Sequence, residues 1–127
     1  MNRRQRRAAA KSSNVEALCA LAAARQAEGK IDEAIEKYRR ALTLKPNLAE
    51  AHNNLANLLR ERGRLDEAIE HYNKALELAP GTSETYNNLG NAVKQRGRPD
   101  AAVPLYRQAI ALRPDFPEPH NNLGSAL

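Results

Sequence analysis

Asparagine pairs return at one fixed place along this chain: Asn53-Asn54, Asn87-Asn88 and Asn121-Asn122, with Asn57 and Asn91 three residues further on. The stretches HNNLAN (52–57), YNNLGN (86–91) and HNNLGS (120–125) begin 34 residues apart. Asparagine is a mediocre helix residue, roughly 0.5–0.7 kcal/mol worse than alanine, so its regular return asks for a reason. An amide side chain offers two donors and an acceptor with two lone pairs. It matches a peptide bond in both directions, and a row of amides can grip an extended chain by its backbone with little demand on sequence. The candidate peptide-binding residues are therefore Asn53, Asn54, Asn57, Asn87, Asn88, Asn91, Asn121 and Asn122. The competing reading is that these amides bond neighbouring helices and only tune packing.

No other residue set supports chemistry. His52 and His120 share one repeat position, two repeats apart, with Tyr86 between them, and read as packing residues at the core edge. No metal-ligand spacing is present, and neither a metal nor another cofactor is expected. Cys19 lies in an alanine-rich stretch with no histidine in sequence reach, which suits a buried, inert thiol. The acid pairs Asp32-Glu33 and Asp66-Glu67 fall at helix starts, where the helix dipole explains them. Without a phosphate loop, a nucleophile elbow or a convergent carboxylate pair, the expectation is a non-catalytic chain.

The net charge of +5 is concentrated at one end. Arg3, Arg4, Arg6, Arg7 and Lys11 precede the first acid, Glu16; without these five, 20 − 5 = 15 basic residues face 15 acidic ones. A balanced body argues against a broad nucleic-acid surface. Nucleic-acid contact is left to the basic arm, whose RRQRR run has no aromatic residue to stack on a base. That composition predicts a disordered arm over residues 1–14. MNRRQRR followed by ALCALAAA resembles a secretion signal, but Glu16 interrupts the apolar run and its leucines fit the repeat register. No apolar run reaches membrane-spanning length. One cysteine permits a reducing compartment, and a cytoplasmic setting is expected.

The elements that position the amides follow from the same period. IDEAIEKY (31–38) aligns with LDEAIEHY (65–72) and PDAAVPLY (99–106), and KPN, APG and RPD follow in register. The units are 15–48, 49–82, 83–116 and a fragment 117–127. Each full unit reads as two helices. In the second unit His52, Leu55, Ala56 and Leu59 form one stripe at helical spacing, and Gly63 stops the helix. Ala68, Ile69, Tyr72, Ala75 and Leu76 form the second stripe, and Pro80 blocks continuation. Ala22, Ala56, Gly90 and Gly124 in the first helices, and Ala34, Ala68, Ala102, Ala41, Ala75 and Ala109 in the second, sit where helices must approach closely. At 100° per residue, Asn54 and Asn57 point away from the core stripe.

The 34-residue length and the small–aromatic–small–proline series Ala68, Tyr72, Ala75, Pro80, repeated in the other units, resemble the tetratricopeptide repeat. The resemblance covers residue 15 to the end. It implies an all-α, right-handed superhelical solenoid of antiparallel helix pairs, three units plus a partial fourth, with each first helix lining the concave side. Such a fold implies a protein or peptide partner in the groove. Asn54, Asn88 and Asn122 are similar to the groove asparagines of the repeat arm of O-linked N-acetylglucosamine transferases, so a second possibility is the substrate-recruiting arm of a larger transferase. Chaperone-binding members clamp a carboxylate with lysine, arginine and asparagine. Here the clamp positions hold Cys19, Asn53 and Asn87, with Glu50, Glu84 and Glu118 nearby, so an acidic chaperone tail is not the expected ligand.

Departures carry expectations too. The first unit has Cys19, Ala20 and Ala23 where later units have asparagine, as a terminal cap would. Pro104, inside a second helix, should loosen or bend it. The fourth unit stops within its first helix, which leaves Leu123 and Leu127 partly uncovered. This reads as a piece of a longer array, or as a face for self-association.

Overall fold

The computed structural model describes residues 1–127, which form seven α-helices and no strand: α1 (Arg3–Ala27), α2 (Ile31–Leu44), α3 (Ala49–Glu61), α4 (Leu65–Leu78), α5 (Ser83–Gln95), α6 (Pro99–Leu112) and α7 (Pro117–Ala126). They pack as the pairs α1–α2, α3–α4 and α5–α6, with α7 laid on α6. The chain is an all-α superhelical solenoid. None of its helices is long and apolar enough to cross a membrane.

Local chemistry sets the turns. The first helix of each pair ends at Gly29, Gly63 or Gly97, with φ of +79°, +77° and +93°. Left-handed backbone there lets the next N–H reach back to the carbonyl of Arg25, Leu59 or Val93 at 2.8, 2.9 and 3.1 Å, closing a Schellman stop. The second helices open on acids and end just before Pro46, Pro80 and Pro114, which have no N–H to extend them.

Tyr38, Tyr72 and Tyr106 are at most 2% exposed. Tyr106 fills the space that Gly90 leaves open. In the second unit Leu55, Leu58 and Leu59 are fully buried, each contributing about 1.5–3 kcal/mol of transfer free energy. One apolar cluster runs from Ala22 in α1 to Ala92 in α5. A smaller one, built from Ala102, Tyr106 and Ala126, joins α6 to α7. Between units, Arg62 pairs with Asp32 at 3.0 Å and Arg96 with Asp66 at 2.9 Å, again 34 residues apart. Both pairs are exposed, so each contributes only a few tenths of a kcal/mol.

The arm is helical from Arg3 onward, contrary to the disorder expected over residues 1–14. Arginine, alanine, lysine and glutamine are all good helix formers, and a capping box closes the start: the Asn2 side chain accepts from the Gln5 N–H while the Gln5 side chain accepts from the Asn2 N–H. Every residue of this spur is exposed. At 100° per residue its five cations fall on one arc of roughly 160°, turned away from the face that carries Cys19 and Ala23. α6 runs unbroken through Pro104, which lies on its exposed side. At the other end Leu127 is 78% exposed and Leu123 half-buried.

Candidate functional site: an amide-lined groove

The helices α3, α5 and α7 bring the asparagines into rows. Asn88 Nδ2 approaches Asn53 Oδ1 at 3.5 Å, and Asn122 Nδ2 donates to Asn87 Oδ1 at 2.9 Å. These are rungs from one unit to the next. The Tyr72 hydroxyl donates to Asn57 Oδ1, and that of Tyr106 to Asn91 Oδ1 at 2.7 Å. Burial pushes the Tyr38, Tyr72 and Tyr106 hydroxyls above their ordinary pKa, which keeps them protonated donors.

The first unit breaks both patterns, for reasons visible in its sequence. Asn54 finds Cys19 where a rung needs an amide, and Tyr38 finds Ala23 where its acceptor should be. The two unpartnered groups meet instead: Asn54 Nδ2 donates to the Tyr38 oxygen at 3.4 Å.

Each floor amide thus commits one half to the scaffold. The Nδ2 groups of Asn53, Asn57 and Asn91 and the Oδ1 atoms of Asn54, Asn88 and Asn122 make no internal bond. None is a buried unsatisfied atom, so these donors and acceptors are open to solvent. Two of the expected residues stand apart. Asn87 is 2% exposed beneath Asn122, so it holds up the floor rather than forming it. Asn121 is exposed, and its side chain makes no hydrogen bond.

Three clefts line the groove. Between α1 and α3 lies a recess of about 300 Å³ walled by Cys19, Ala20, Ala23, Tyr38, Leu48, Glu50, Ala51 and Asn54. One unit on, a cleft of about 440 Å³ has Asn53, Asn54, Thr82, Glu84 and Thr85 at the corresponding places. A third, of about 540 Å³, is lined by Asn57, Arg60, Glu61, Glu84, Asn88 and Gln95, with no apolar residue.

Arg60 is a groove residue that sequence reasoning missed. Arg60 points inward from the last turn of α3, donating to the Tyr72 oxygen at 3.3 Å and to Gln95 Oε1 at 3.4 Å. Its position one turn beyond Asn57, on the same face, was the available signal. Lys94 stands at the same place in α5 and donates to Ser125 Oγ at 2.7 Å.

Outside the groove, His52 and His71 stack with Nδ1 atoms 3.0 Å apart. His52 Nε2 lies 2.8 Å from the Pro46 carbonyl. A carbonyl only accepts, so Nε2 carries the His52 proton, and the His52 Nδ1 lone pair accepts from His71 Nδ1–H. His52 therefore anchors the loop before α3, and His120 repeats that contact with Pro114 at 2.9 Å. Burial, then the neighbouring His52, pushes the His71 pKa down. Cys19 is half-buried rather than enclosed, and burial followed by the Glu50 carboxylate pushes its thiol up.

The sequence model described as Tetratricopeptide repeat matches residues 13–80 and 47–115. Among solved structures, an O-GlcNAc transferase mutant from Thermobaculum terrenum superposes with a TM-score of 0.86 at 28% identity, over 92% of this chain and 22% of that one. The chain thus spans about a fifth of that enzyme's length. MamA superposes with a TM-score of 0.87 at 25% identity, over 96% of this chain and 71% of its own. The first repeat domain of Spaghetti (RPAP3), bound to the HSP90 peptide SRMEEVD, superposes with a TM-score of 0.87 over 91% of both chains. At 23% identity it supports the fold alone. No curated protein matches the chain. With the family pattern spanning residues 13–115 and the helix pairs, glycine stops and buried tyrosines all in its register, the chain belongs to the tetratricopeptide repeat family.

Proposed function

We propose that this chain is a non-catalytic interaction module that holds an extended segment of a protein partner across its concave groove. The observation that supports this reading is the division of the amides, in which one half of each is bonded to the scaffold and the other makes no internal bond. A fixed amide loses little further freedom when it meets a ligand, which lowers the cost of binding. The repeat domains of RPAP3, which share the fold, are bound to HSP90 and HSP70 peptides. The acids Glu50 and Glu84 in the groove separate the expected ligand from an acidic chaperone tail. A cytoplasmic setting suits the free thiol of Cys19.

The test is a random peptide library displayed against the parent chain and against the triple variant Asn54→Ala, Asn88→Ala, Asn122→Ala. Peptides should bind the parent and weaken by about 10-fold or more in the variant, at roughly 0.5–1.5 kcal/mol per lost bond. Equal binding by a folded variant would reduce the amides to packing elements.

A second reading is favoured by the 28% identity to the O-GlcNAc transferase mutant over 92% of this chain. In that reading the same groove recruits substrate for a transferase domain carried elsewhere. The groove's chemistry is unchanged by it. Finding the natural reading frame closed at residue 127 would remove it.

A further inference from the structure

The groove changes character by one repeat step, and the change falls at positions that can be compared one for one. Cys19, Ala20, Leu48 and Ala51 line the recess between α1 and α3. Adding 34 to each gives Asn53, Asn54, Thr82 and Thr85, all in the cleft between α3 and α5. Four apolar or thiol side chains thus become four hydrogen-bonding ones within the same framework. Ala23 completes the contrast: Asn57, its counterpart, carries an amide bonded to Tyr72, whereas the space beside Tyr38 stays open.

Resting on the groove reading above, we infer that the recess between α1 and α3 is a specificity pocket for one aliphatic or methionine side chain of the bound segment. Its Cys19, Ala20, Ala23 and Ala51 walls offer no strong donor or acceptor, and about 300 Å³ is ample for such a side chain. The polar rim fixes what stands beside the anchor. Glu50 and Asn54 line both the recess and the next cleft, and Glu84 closes the far side of that cleft. Packed helices lie about 8–10 Å apart, and an extended chain advances about 3.3 Å per residue. About three residues therefore separate the side chain in the recess from the one between Glu50 and Glu84, and that second side chain is basic. The ligand is an extended segment with an apolar anchor and a lysine or arginine three positions away, its backbone held on the amides between.

The recess can be filled without inventing a new surface. Ala20→Asn with Ala23→Asn gives the first unit the residues that the second already carries at the same places. Library peptides selected on the parent chain should share the anchor. Replacing it by serine should weaken binding about 10- to 100-fold in the parent, as expected for exposing one aliphatic side chain, and less than about 3-fold in the filled variant, where the pocket is already lost. Bound peptide should also slow alkylation of Cys19 by a neutral maleimide in the parent. Selected peptides with no common apolar position, an anchor effect that survives filling, or undiminished Cys19 alkylation at saturation would each overturn the pocket while leaving the amide groove intact. A library that yields no binder overturns both.

Discussion

At the scale of single residues, most of the polar side chains are defined by what the neighbouring unit lacks or supplies. Asn57 and Asn91 are acceptors for a tyrosine of their own unit, while Asn54 serves Tyr38 only because Ala23 and Cys19 offer nothing. The His52–His71 pair makes a testable statement about pH. Burial lowers the His71 pKa in the folded chain, with His52 and Arg39 adding to the effect and Glu67 and Glu70 opposing it. The unfolded chain then binds the proton more readily than the folded one. Stability is fully present above the unfolded value near 6.5 and is lost as pH falls from there through the lower folded value. The carboxylates of Glu28 and Glu67, lowered by Arg25 and Arg39 respectively, act below the ordinary carboxylate value of 4.5 and leave this window to the histidine. Urea midpoints should drop between pH 7.5 and about 5. The change His71→Leu, which places the residue that Leu105 represents in the third unit, should flatten the curve. An unchanged slope in that variant would show that His71 does not titrate as argued.

At the scale of helices, one repeat position separates packing from propensity. Gly90 and Gly124 occupy equivalent places in α5 and α7. A methyl at Gly90 would come within 2.6 Å of the Tyr106 ring, whereas one at Gly124 would meet nothing within 4 Å. Gly124→Ala should therefore stabilise by about 0.5–1 kcal/mol through helix propensity. Gly90→Ala should destabilise by a net ~1 kcal/mol, since overpacking typically costs ~1–3 kcal/mol and the propensity gain offsets part of it. Shifts of the same sign for both, measured by urea unfolding, would contradict the packing account. The period, the helix pairs and the core stripes were legible because each is a local pattern repeated three times. The spur was misread because five cations suggested disorder, while the capping box and helix-forming residues around them settle the local conformation. The inter-unit rungs, the burial of Asn87 and the His52–His71 contact were not legible, since wheel geometry gives the direction of a side chain and not which neighbour it meets.

At the scale of the whole molecule, stability should be uneven, because a solenoid's repeats contact only their neighbours and each interface contributes separately. The larger cluster ties the first two units to α5, and Leu55, Leu58 and Leu59 are completely enclosed within it. The smaller cluster holds α6 to α7 with three buried residues, and Leu127 projects beyond it. Opening the α6–α7 end therefore exposes little apolar surface, whereas opening α3–α4 dissolves the main core. Native-state hydrogen exchange should show amides in 99–126 exchanging through partial opening, at lower free energy and weaker denaturant dependence than those in 49–78, which should exchange only with global unfolding. Equal protection and equal denaturant dependence in both segments would mean that the chain unfolds as one unit and that the two clusters are energetically joined through α5. Repeating the measurement at a much higher protein concentration adds a second reading. Protection that rises selectively in 117–126 would show copies associating through the face around Leu123 and Leu127, and unchanged protection would leave α7 as the outer layer of a monomer. Asn53, Asn54 and Asn57 lie on α3, within the more protected segment, so these side chains should stay positioned even while the α6–α7 end opens and closes.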